Sequence, residues 1–180
     1  VLLLDRNIDK LRQADMIYQG HCQTVASNTL EINRAVREAD LVIGAVLVPG
    51  AKAPKLVTNE LVRRMKPGSV LVDISIDQGG CFEDSRPTTH AEPTYRVHDS
   101  IFYCVANMPG AVPHTSTFAL TNVTLPYALA IADLGWARAM REYRALALGL
   151  STHDGRLISE PVAEAHGLEW TPLDDVLGRA

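Results

Sequence analysis

The chain has 180 residues, of which 47% are hydrophobic and 21% are charged. This composition is ordinary for a globular domain and argues against a disordered or low-complexity chain. The formal net charge of −4 gives no electrostatic reason to expect nucleic acid or an anionic membrane as a partner. No uninterrupted apolar run approaches the ~18 residues that a membrane helix needs.

Short apolar runs alternate with amphipathic stretches, which is the pattern of βαβ units and a parallel sheet. We expect strands at 1–4, 23–26, 40–46, 70–75 and 101–105, with 40–46 and 70–75 buried. We expect helices at 8–16, from 27–29 to about 39, and from 58 to about 65, with a loop at 49–54. Asn7 and Thr58 are the expected N-caps of the first and third helices, and Ser27, Asn28 or Thr29 is that of the second. In the second helix the apolar positions Leu30, Ala35, Val36 and Ala39 suit one buried face.

The pattern changes after Pro113. A long helix is expected at 115–136, interrupted by Pro126, and short helical pieces follow it. These changes place a domain boundary near residues 110–115.

The first residues open directly on an apolar strand, Val1–Leu4, without a methionine. We therefore expect a piece of a longer chain that begins at the second strand of a doubly wound (Rossmann) fold and lacks its first strand. A glycine-rich phosphate loop normally precedes the acid that closes the second strand by about 20 residues. That loop is missing here, which fits a chain that begins just downstream of it.

Asp5 ends the first strand. In a doubly wound fold the acid at this place accepts hydrogen bonds from the adenosine ribose, and its charge repels a 2′-phosphate, which favours NAD over NADP. Arg6 complicates this preference, because an arginine near that corner can hold a 2′-phosphate. The alternative is that Asp5 merely terminates a strand.

Polar residues also follow the later strands, where ligands bind in open parallel sheets. Asp77 could assist proton transfer beside a nicotinamide, or could cap the following turn. Gly79 and Gly80 allow backbone to approach a cofactor closely. Asn107 could orient a carboxamide and Met108 could pack a flat ring, or both could belong to an ordinary turn. The local sequence leaves Arg86 open as either a solvated loop cation or a pyrophosphate ligand.

Other site chemistries lack their patterns. Cys22, Cys81 and Cys104 form no C-x-x-C pair, which predicts reduced thiols in a cytoplasmic protein. The six histidines show no metal-ligand spacing, so no metal site is expected. Ser75 and Ser116 lack the G-x-S-x-G context of a hydrolase nucleophile.

Several segments together resemble alanine dehydrogenases, over essentially the whole chain. The similar stretches are 40–56 (DLVIGAVLVPGAKAPKL), 65–86 (MKPGSVLVDISIDQGGCFEDSR), 87–89 (PTT), 102–117 (FYCVANMPGAVPHTST), 119–127 (ALTNVTLPY) and 149–153 (GLSTH). The resemblance implies that residues 1–113 are the downstream part of an NAD-binding domain. It also implies that residues 114–180 are a helical C-terminal segment that returns to complete a catalytic domain.

The resemblance further implies reversible, NAD-dependent oxidative deamination of L-alanine to pyruvate and ammonia by a cytoplasmic homo-oligomer, typically a hexamer. Asp77 matches the catalytic aspartate of the family. The cofactor contacts carried over by position are Asp5, Lys10, Ser27, Val46, Leu47, Ile74, Ser75, Ile76, Asp77, Arg86, Val105, Ala106, Asn107 and Met108. The catalytic histidine of the family and its pyruvate-binding arginine and lysine match no position in this sequence.

Two alternatives stay open. The NAD-binding subunit of proton-translocating transhydrogenase shares the architecture and exchanges hydride without an amino-acid substrate, although Ile76–Gly80 favours the dehydrogenase. The second alternative is an inactive fragment. Strand one is central in the order 3-2-1-4-5-6, so a chain without it exposes two strand edges and is expected to bind NAD weakly.

Overall fold

The computed structural model describes residues 1–48 and 51–178, which form two compact units. The first unit consists of Val1–Leu47 and Ala53–Met108. The second contains the described residues from Pro109 onward, together with Val48, Ala51 and Lys52. In the loop expected at 49–54, Pro49 and Gly50 lie outside the described residues. The assignment of 1–113 and 114–180 to different functional domains stays a prediction.

The strands described in the first unit form a parallel pair and a four-stranded sheet. The pair is β2-β1, and the larger sheet has the order β3-β4-β6-β5, with β5 antiparallel to β6. The strands are β1 (Leu2–Asp5), β2 (Gln23–Ala26), β3 (Leu41–Gly44), β4 (Val70–Asp73), β5 (Thr94–Val97) and β6 (Ser100–Tyr103). The predicted parallel sheet with intervening helices is therefore present.

Side-chain caps begin the three helices of this unit. Asn7 accepts the backbone N–H groups of Asp9 and Lys10, at 2.9 and 3.2 Å. Asn28 accepts that of Glu31 at 2.9 Å, and Thr58 caps the third helix. The helices are α1 (Ile8–Tyr18), α2 (Thr29–Glu38) and α3 (Asn59–Arg63). The expected caps are confirmed because capping depends on residues only two or three positions away.

The core of the first unit joins both strands and helices. Leu71 of β4 and Phe102 of β6 are fully buried, and Val36 of α2 and Val62 of α3 belong to the same cluster. The Phe82 ring meets Phe102 edge-on, with centroids 6.0 Å apart. Burying each large apolar side chain contributes about 1.5–3 kcal/mol, so this cluster stabilises the packing of the helices on the four-stranded sheet.

Two predictions of burial are wrong. Residues 40–46 were expected to form a strand buried on both faces, but β3 ends at Gly44, and Leu41 and Ile43 are more than half exposed. In α2, Leu30 is 75% exposed, whereas Ile32 packs against the core. Both errors arise because a hydrophobic pattern does not show which neighbours are present. Strand β3 lies at the edge of its described sheet, and Leu30 has no described neighbour that covers its side chain.

The ends of the later strands also differ from expectation. The predicted strand 70–75 stops at Asp73, and Ile74–Gln78 forms a 3₁₀ turn. The turn begins there because the Asp73 carboxylate accepts the backbone N–H of Ser75. Strand β5 was not predicted, since its tight hairpin with β6 uses His98 at a positive φ of 53°, without glycine.

The second unit is mainly helical. Its elements are α4 (Pro113–Leu134), α5 (Trp136–Glu142), α6 (Arg144–Gly149), β7 (Thr152–His153), β8 (Arg156–Leu157), α7 (Glu160–His166) and α8 (Leu173–Leu177). The expected interruption at Pro126 is wrong, because α4 continues through this residue. Proline removes one backbone donor, and the intact turns on both sides keep the helix continuous.

Helix α4 is long and apolar enough to cross a membrane, judged by length and composition alone. Phe118, Leu120, Val123 and Leu125 are each more than half exposed. Helices of soluble proteins also pass this test, so it is weak evidence for a membrane span. The exposed side chains do identify an apolar surface on α4.

We predict that Gly44→Ala lowers the stability of the first unit. A Cβ at Gly44 would collide with Sγ of Cys81 and would come within 2.8 Å of the Phe82 ring. Overpacking a core typically costs about 1–3 kcal/mol. The measurement is the urea midpoint of unfolding. Gly149→Ala is the matched control, because its added Cβ meets nothing within 4 Å and its midpoint should not fall.

We predict that Cys22 is alkylated much faster than the other two cysteines. Burial, with the nearby charge of Asp73 as a second cause, raises the pKa of Cys81 to about 12. Burial also raises the pKa of Cys104, whereas the Cys22 side chain is only partly buried. Because the thiolate is the reactive form, iodoacetamide at pH 8 should modify Cys22 first, as measured by peptide mass mapping. Equal labelling of all three cysteines in the folded protein would contradict the buried cluster.

Candidate functional site

Asp5, Lys10 and Ser27 lie around the carboxyl ends of the β1–β2 pair. The backbone N–H of Ser27 donates to the Asp5 carbonyl at 2.9 Å, so the two strand ends are directly joined. Lys10 lies in the first turn of α1, where Asn7 caps its backbone N–H. The structure therefore brings Asp5 and Ser27 together and places Lys10 on the adjacent helix.

One oxygen of the Asp5 carboxylate is used within the chain, and the other is left as an acceptor for a ligand. Its Oδ1 accepts the backbone N–H of Asn7 at 2.8 Å. Among the described residues, none contacts its Oδ2. A carboxylate can accept several hydrogen bonds, so ending the strand and binding a ribose hydroxyl are compatible roles.

The ends of β3 and β4 are joined by a side chain. The backbone N–H of Val46 donates to Oγ of Ser75 at 2.8 Å, and Ser75 is buried. This bond places Val46 and Leu47 beside the 3₁₀ turn Ile74–Gln78. Leu47 and Ile74 are 73% and 53% exposed, so both present apolar surface at this edge of the sheet. Ligands of open parallel sheets bind beyond such strand ends.

Asp73 organises the backbone around this turn. Its carboxylate is fully buried and accepts the backbone N–H groups of Ser75, Cys81 and Phe82, at 3.0, 2.9 and 3.3 Å. It also accepts the hydroxyl of Ser85. A buried carboxylate needs such donors, because burying an unpaired charge is very unfavourable. Asp73 therefore fixes both the start of the turn and the loop that follows it.

Asp77 has a different environment, although it lies only four residues later. Its side chain is exposed, and no hydrogen bond or ion pair to it is found among residues 1–48 and 51–178. The capping alternative has no support, since no described backbone N–H donates to the Asp77 carboxylate. The Asp77 carboxylate is consequently available to a ligand at the sheet edge.

The glycines after Asp77 have separate reasons to be glycine. Gly80 has a positive φ of 74°, and a Cβ there would lie 2.7 Å from Oδ2 of Asp73. Gly79 also has a positive φ, of 87°, but a Cβ there would meet nothing within 4 Å. At Gly80 the backbone therefore approaches Asp73 of the same chain, which lets the loop close over that carboxylate. The close approach of backbone to a cofactor stays a prediction.

Arg86 is held by an aromatic ring. Its guanidinium carbon lies 3.9 Å from the centroid of the Tyr95 ring, within the range of a cation–π contact. The Arg86 backbone N–H donates to the Tyr95 hydroxyl at 2.9 Å, and that hydroxyl donates to the Asp84 carbonyl at 2.8 Å. Burial is the main cause that raises the Tyr95 pKa. The hydroxyl keeps its proton at neutral pH, as tyrosine ordinarily does, and remains the donor to Asp84.

The segment Val105–Met108 follows β6 and lies beside the loop that carries Arg86. Thr88 donates its backbone N–H to Cys104 at 2.9 Å and accepts that of Ala106 at 3.2 Å. Asn107 adopts a positive φ of 56°, and the ring Nε2 of His90 contacts its carbonyl at 3.2 Å. Val105 is buried, whereas Ala106 and Asn107 are exposed to a ligand.

The predicted residues therefore fall into two groups. One group surrounds Asp5, and the other gathers Val46, the Asp77 turn, Arg86 and Val105–Met108 at the ends of the larger sheet. Sequence reasoning missed Asp73, Lys55, Tyr95 and His90. Of these, only Asp73 carried a signal, as a second acid at a strand end. Acceptor carboxylates, exposed apolar side chains and one oriented cation are a set of groups that fits a dinucleotide.

Comparison with known proteins gives a consistent family. The model of "Alanine dehydrogenase/PNT, C-terminal domain" matches residues 1–160. A Mycolicibacterium smegmatis protein named alanine dehydrogenase is 66% identical over 95% of this chain and 46% of its own length. A Mycobacterium tuberculosis protein of the same name is 63% identical over 98% of this chain and 48% of its own length. The chain spans about half the length of the curated relatives it matches.

Solved structures support the same fold. A structure of an L-alanine dehydrogenase superposes with a TM-score of 0.80 at 46% identity, over 93% of this chain and 46% of that one. A transhydrogenase from Sinorhizobium meliloti superposes with a TM-score of 0.58 at 24% identity over 66% of this chain and 34% of that one, which shows a shared fold alone. The predicted doubly wound α/β class is confirmed. With its family match over residues 1–160, the chain belongs to the alanine dehydrogenase/PNT C-terminal domain family.

Proposed function

We propose that this protein serves the NAD-dependent oxidation of L-alanine to pyruvate and ammonia, in a reversible reaction. The observation that carries the proposal is the free carboxylate of Asp77 on a firmly hydrogen-bonded turn at the carboxyl edge of the sheet. The high identity to proteins named alanine dehydrogenase supports the choice of substrate.

The adenosine end of NAD would bind around Asp5. Its free Oδ2 suits a ribose hydroxyl, and its charge disfavours a 2′-phosphate. Lys10 and Ser27 flank this position and would contact the same half of the cofactor. Arg6 is exposed next to Asp5 and would favour a 2′-phosphate, so the proposed preference for NAD over NADP rests on the Asp5 carboxylate alone.

The nicotinamide end would bind along the larger sheet. Leu47 and Ile74 offer exposed apolar surface for a flat ring. Arg86, oriented by Tyr95, would contact the negatively charged pyrophosphate. The remaining proposed contacts are Val46, Ser75, Ile76, Asp77, Val105, Ala106, Asn107 and Met108.

When NAD is bound, its nicotinamide supplies hydride acceptance. The part of this chain is to orient that ring and to handle a proton. Asp77 would hold or accept a proton of the substrate at its carboxylate while hydride leaves the α-carbon of alanine. The resulting imine adds water and breaks down to pyruvate and ammonia.

The protein would work in the cytoplasm as a homo-oligomer, with a hexamer as the expected state. Helix α4 exposes large apolar side chains on more than one face, which supports its burial against other protein in an assembly. Size measurement in solution by light scattering tests this assembly.

The function is tested by measuring NADH formation at 340 nm from L-alanine and NAD with the protein at its natural length. NADP in place of NAD should give a much slower reaction. The alternative function is hydride exchange without an amino-acid substrate. It predicts no reaction with alanine and reduction of an NADP analogue by NADH, an outcome that would overturn the proposal.

Asp77→Asn should lower kcat about 100-fold or more, because general acid–base groups contribute roughly 10²- to 10⁴-fold. The dissociation constant of NADH should change little, since the amide keeps the shape of the side chain. Steady-state kinetics and NADH fluorescence titration measure the two quantities. Asp99→Asn is the matched control, since Asp99 is exposed before the amino end of β6. Unchanged kcat in Asp77→Asn removes the catalytic assignment.

Residues 1–180 alone are predicted to bind NAD weakly and to leave alanine unoxidised. Within the described residues, β1 pairs only with β2 and β3 pairs only with β4, so β1 and β3 each have an open edge. No described strand joins the two halves of the proposed cofactor site. Fluorescence titration with NADH and the alanine assay test the chain. Alanine oxidation by the purified 180-residue chain would contradict the prediction.

A further inference from the structure

We propose that Lys55 and Asp73 are positioning residues that hold the loop Gly79–Ser85 from two sides and thereby set the place of the Asp77 carboxylate. The consequence for catalysis rests on the proposed function. The arrangement itself rests only on contacts within the first unit.

Lys55 binds the carbonyl side of the loop. Its ammonium nitrogen lies 2.6 Å from the carbonyl oxygen of Gly79, 2.9 Å from that of Gly80 and 3.0 Å from that of Phe82. An ammonium group has three donors and no acceptor, so these carbonyls occupy its full capacity. Lys55 also comes from a segment about 25 residues earlier in the chain, which ties two separate loops together.

Asp73 binds the amide side of the same loop. It accepts the backbone N–H groups of Cys81 and Phe82 and the hydroxyl of Ser85. Backbone N–H groups of the loop therefore donate to the negative charge of Asp73, and backbone carbonyls of the same loop accept from the positive charge of Lys55. Charge-assisted hydrogen bonds are stronger than neutral ones, so the two residues act in the same direction on one backbone.

The clamp formed by Lys55 and Asp73 binds backbone groups on both sides of Asp77 in sequence. Asp73 fixes Ser75 through its backbone N–H, and Lys55 fixes Gly79 through its carbonyl. Between them, Gln78 accepts the backbone N–H of Ala53 at 3.0 Å. Because no described residue forms a hydrogen bond or ion pair with the Asp77 carboxylate, the backbone of the turn is what sets its place. A misplacement of 1 Å at a reacting group can cost about 100-fold in rate.

The first variant is Lys55→Met, which keeps an unbranched side chain but removes the three donors. We expect kcat for alanine to fall about 10-fold or more, with the NADH dissociation constant within about threefold of the wild type. Lys55→Arg should recover most of the loss, because its donors can still reach carbonyls. Lys66→Met is the matched control, since Lys66 forms an exposed ion pair with Asp40 away from the loop.

A second measurement follows the clamp without any reaction. Hydrogen exchange at the backbone amides of Cys81 and Phe82 should be faster in Lys55→Met than in Lys66→Met, because the loop opens more readily. Asp73→Asn should speed exchange further, since an amide cannot accept at both of its positions. This variant also tests the second side of the clamp if Lys55→Met folds poorly.

The outcomes separate the clamp from the proposed function. A lower thermal midpoint with kcat within twofold of the wild type would mean that Lys55 only stabilises the fold, and it overturns the positioning role. Failure of the wild-type protein at its natural length to oxidise alanine overturns the proposed function instead. In that case exchange at Cys81 and Phe82 decides the clamp, and equal exchange in both lysine variants rejects it.

Discussion

The carboxylate of Asp73 lies at the end of a core strand with none of its surface exposed, and much of the candidate site depends on how it is satisfied. Its partners are three backbone amides, the hydroxyl of Ser85 and the thiol of Cys81, and no ion pair to it is found among the described residues. Each donor must stay close, since losing one leaves part of a buried charge unpaired. The loop must therefore fold tightly over the strand end, which explains the glycine at position 80.

Two aspartates four residues apart thus have opposite properties. Asp73 is buried and fully hydrogen-bonded, whereas Asp77 is exposed and without a described partner. The first acid converts the strand end into a 3₁₀ turn, and the turn carries the second acid outward. One residue type therefore supplies both the rigid support and the proposed reactive group, and the environment alone makes the difference.

The features that the sequence predicted are mainly local ones. Asn7, Asn28 and Thr58 cap helices through bonds that span two or three residues, so their types and spacing suffice. The exposure of Leu30 and the role of Lys55 depend on contacts with distant segments, which leave no local pattern. Tyr95 is a similar case, because its effect on Arg86 requires the hairpin of β5 and β6. Asp77 was singled out by its place after a strand, and its catalytic role came from the family resemblance. The geometry of its turn depends on Asp73 and Lys55 and left no local pattern.

The spacing between the two halves of the site depends on packing. Among the described residues, no strand pairing joins the β1–β2 pair to the four-stranded sheet. Helix α2 follows β2, and its Val36 is buried in the core that also contains Leu71 and Phe102. A dinucleotide that contacts Asp5 at one end and the Asp77 turn at the other would therefore span a distance set by the α2 interface. Among the described residues, apolar packing of one helix face, more than strand pairing, therefore links the β1–β2 pair to the larger sheet.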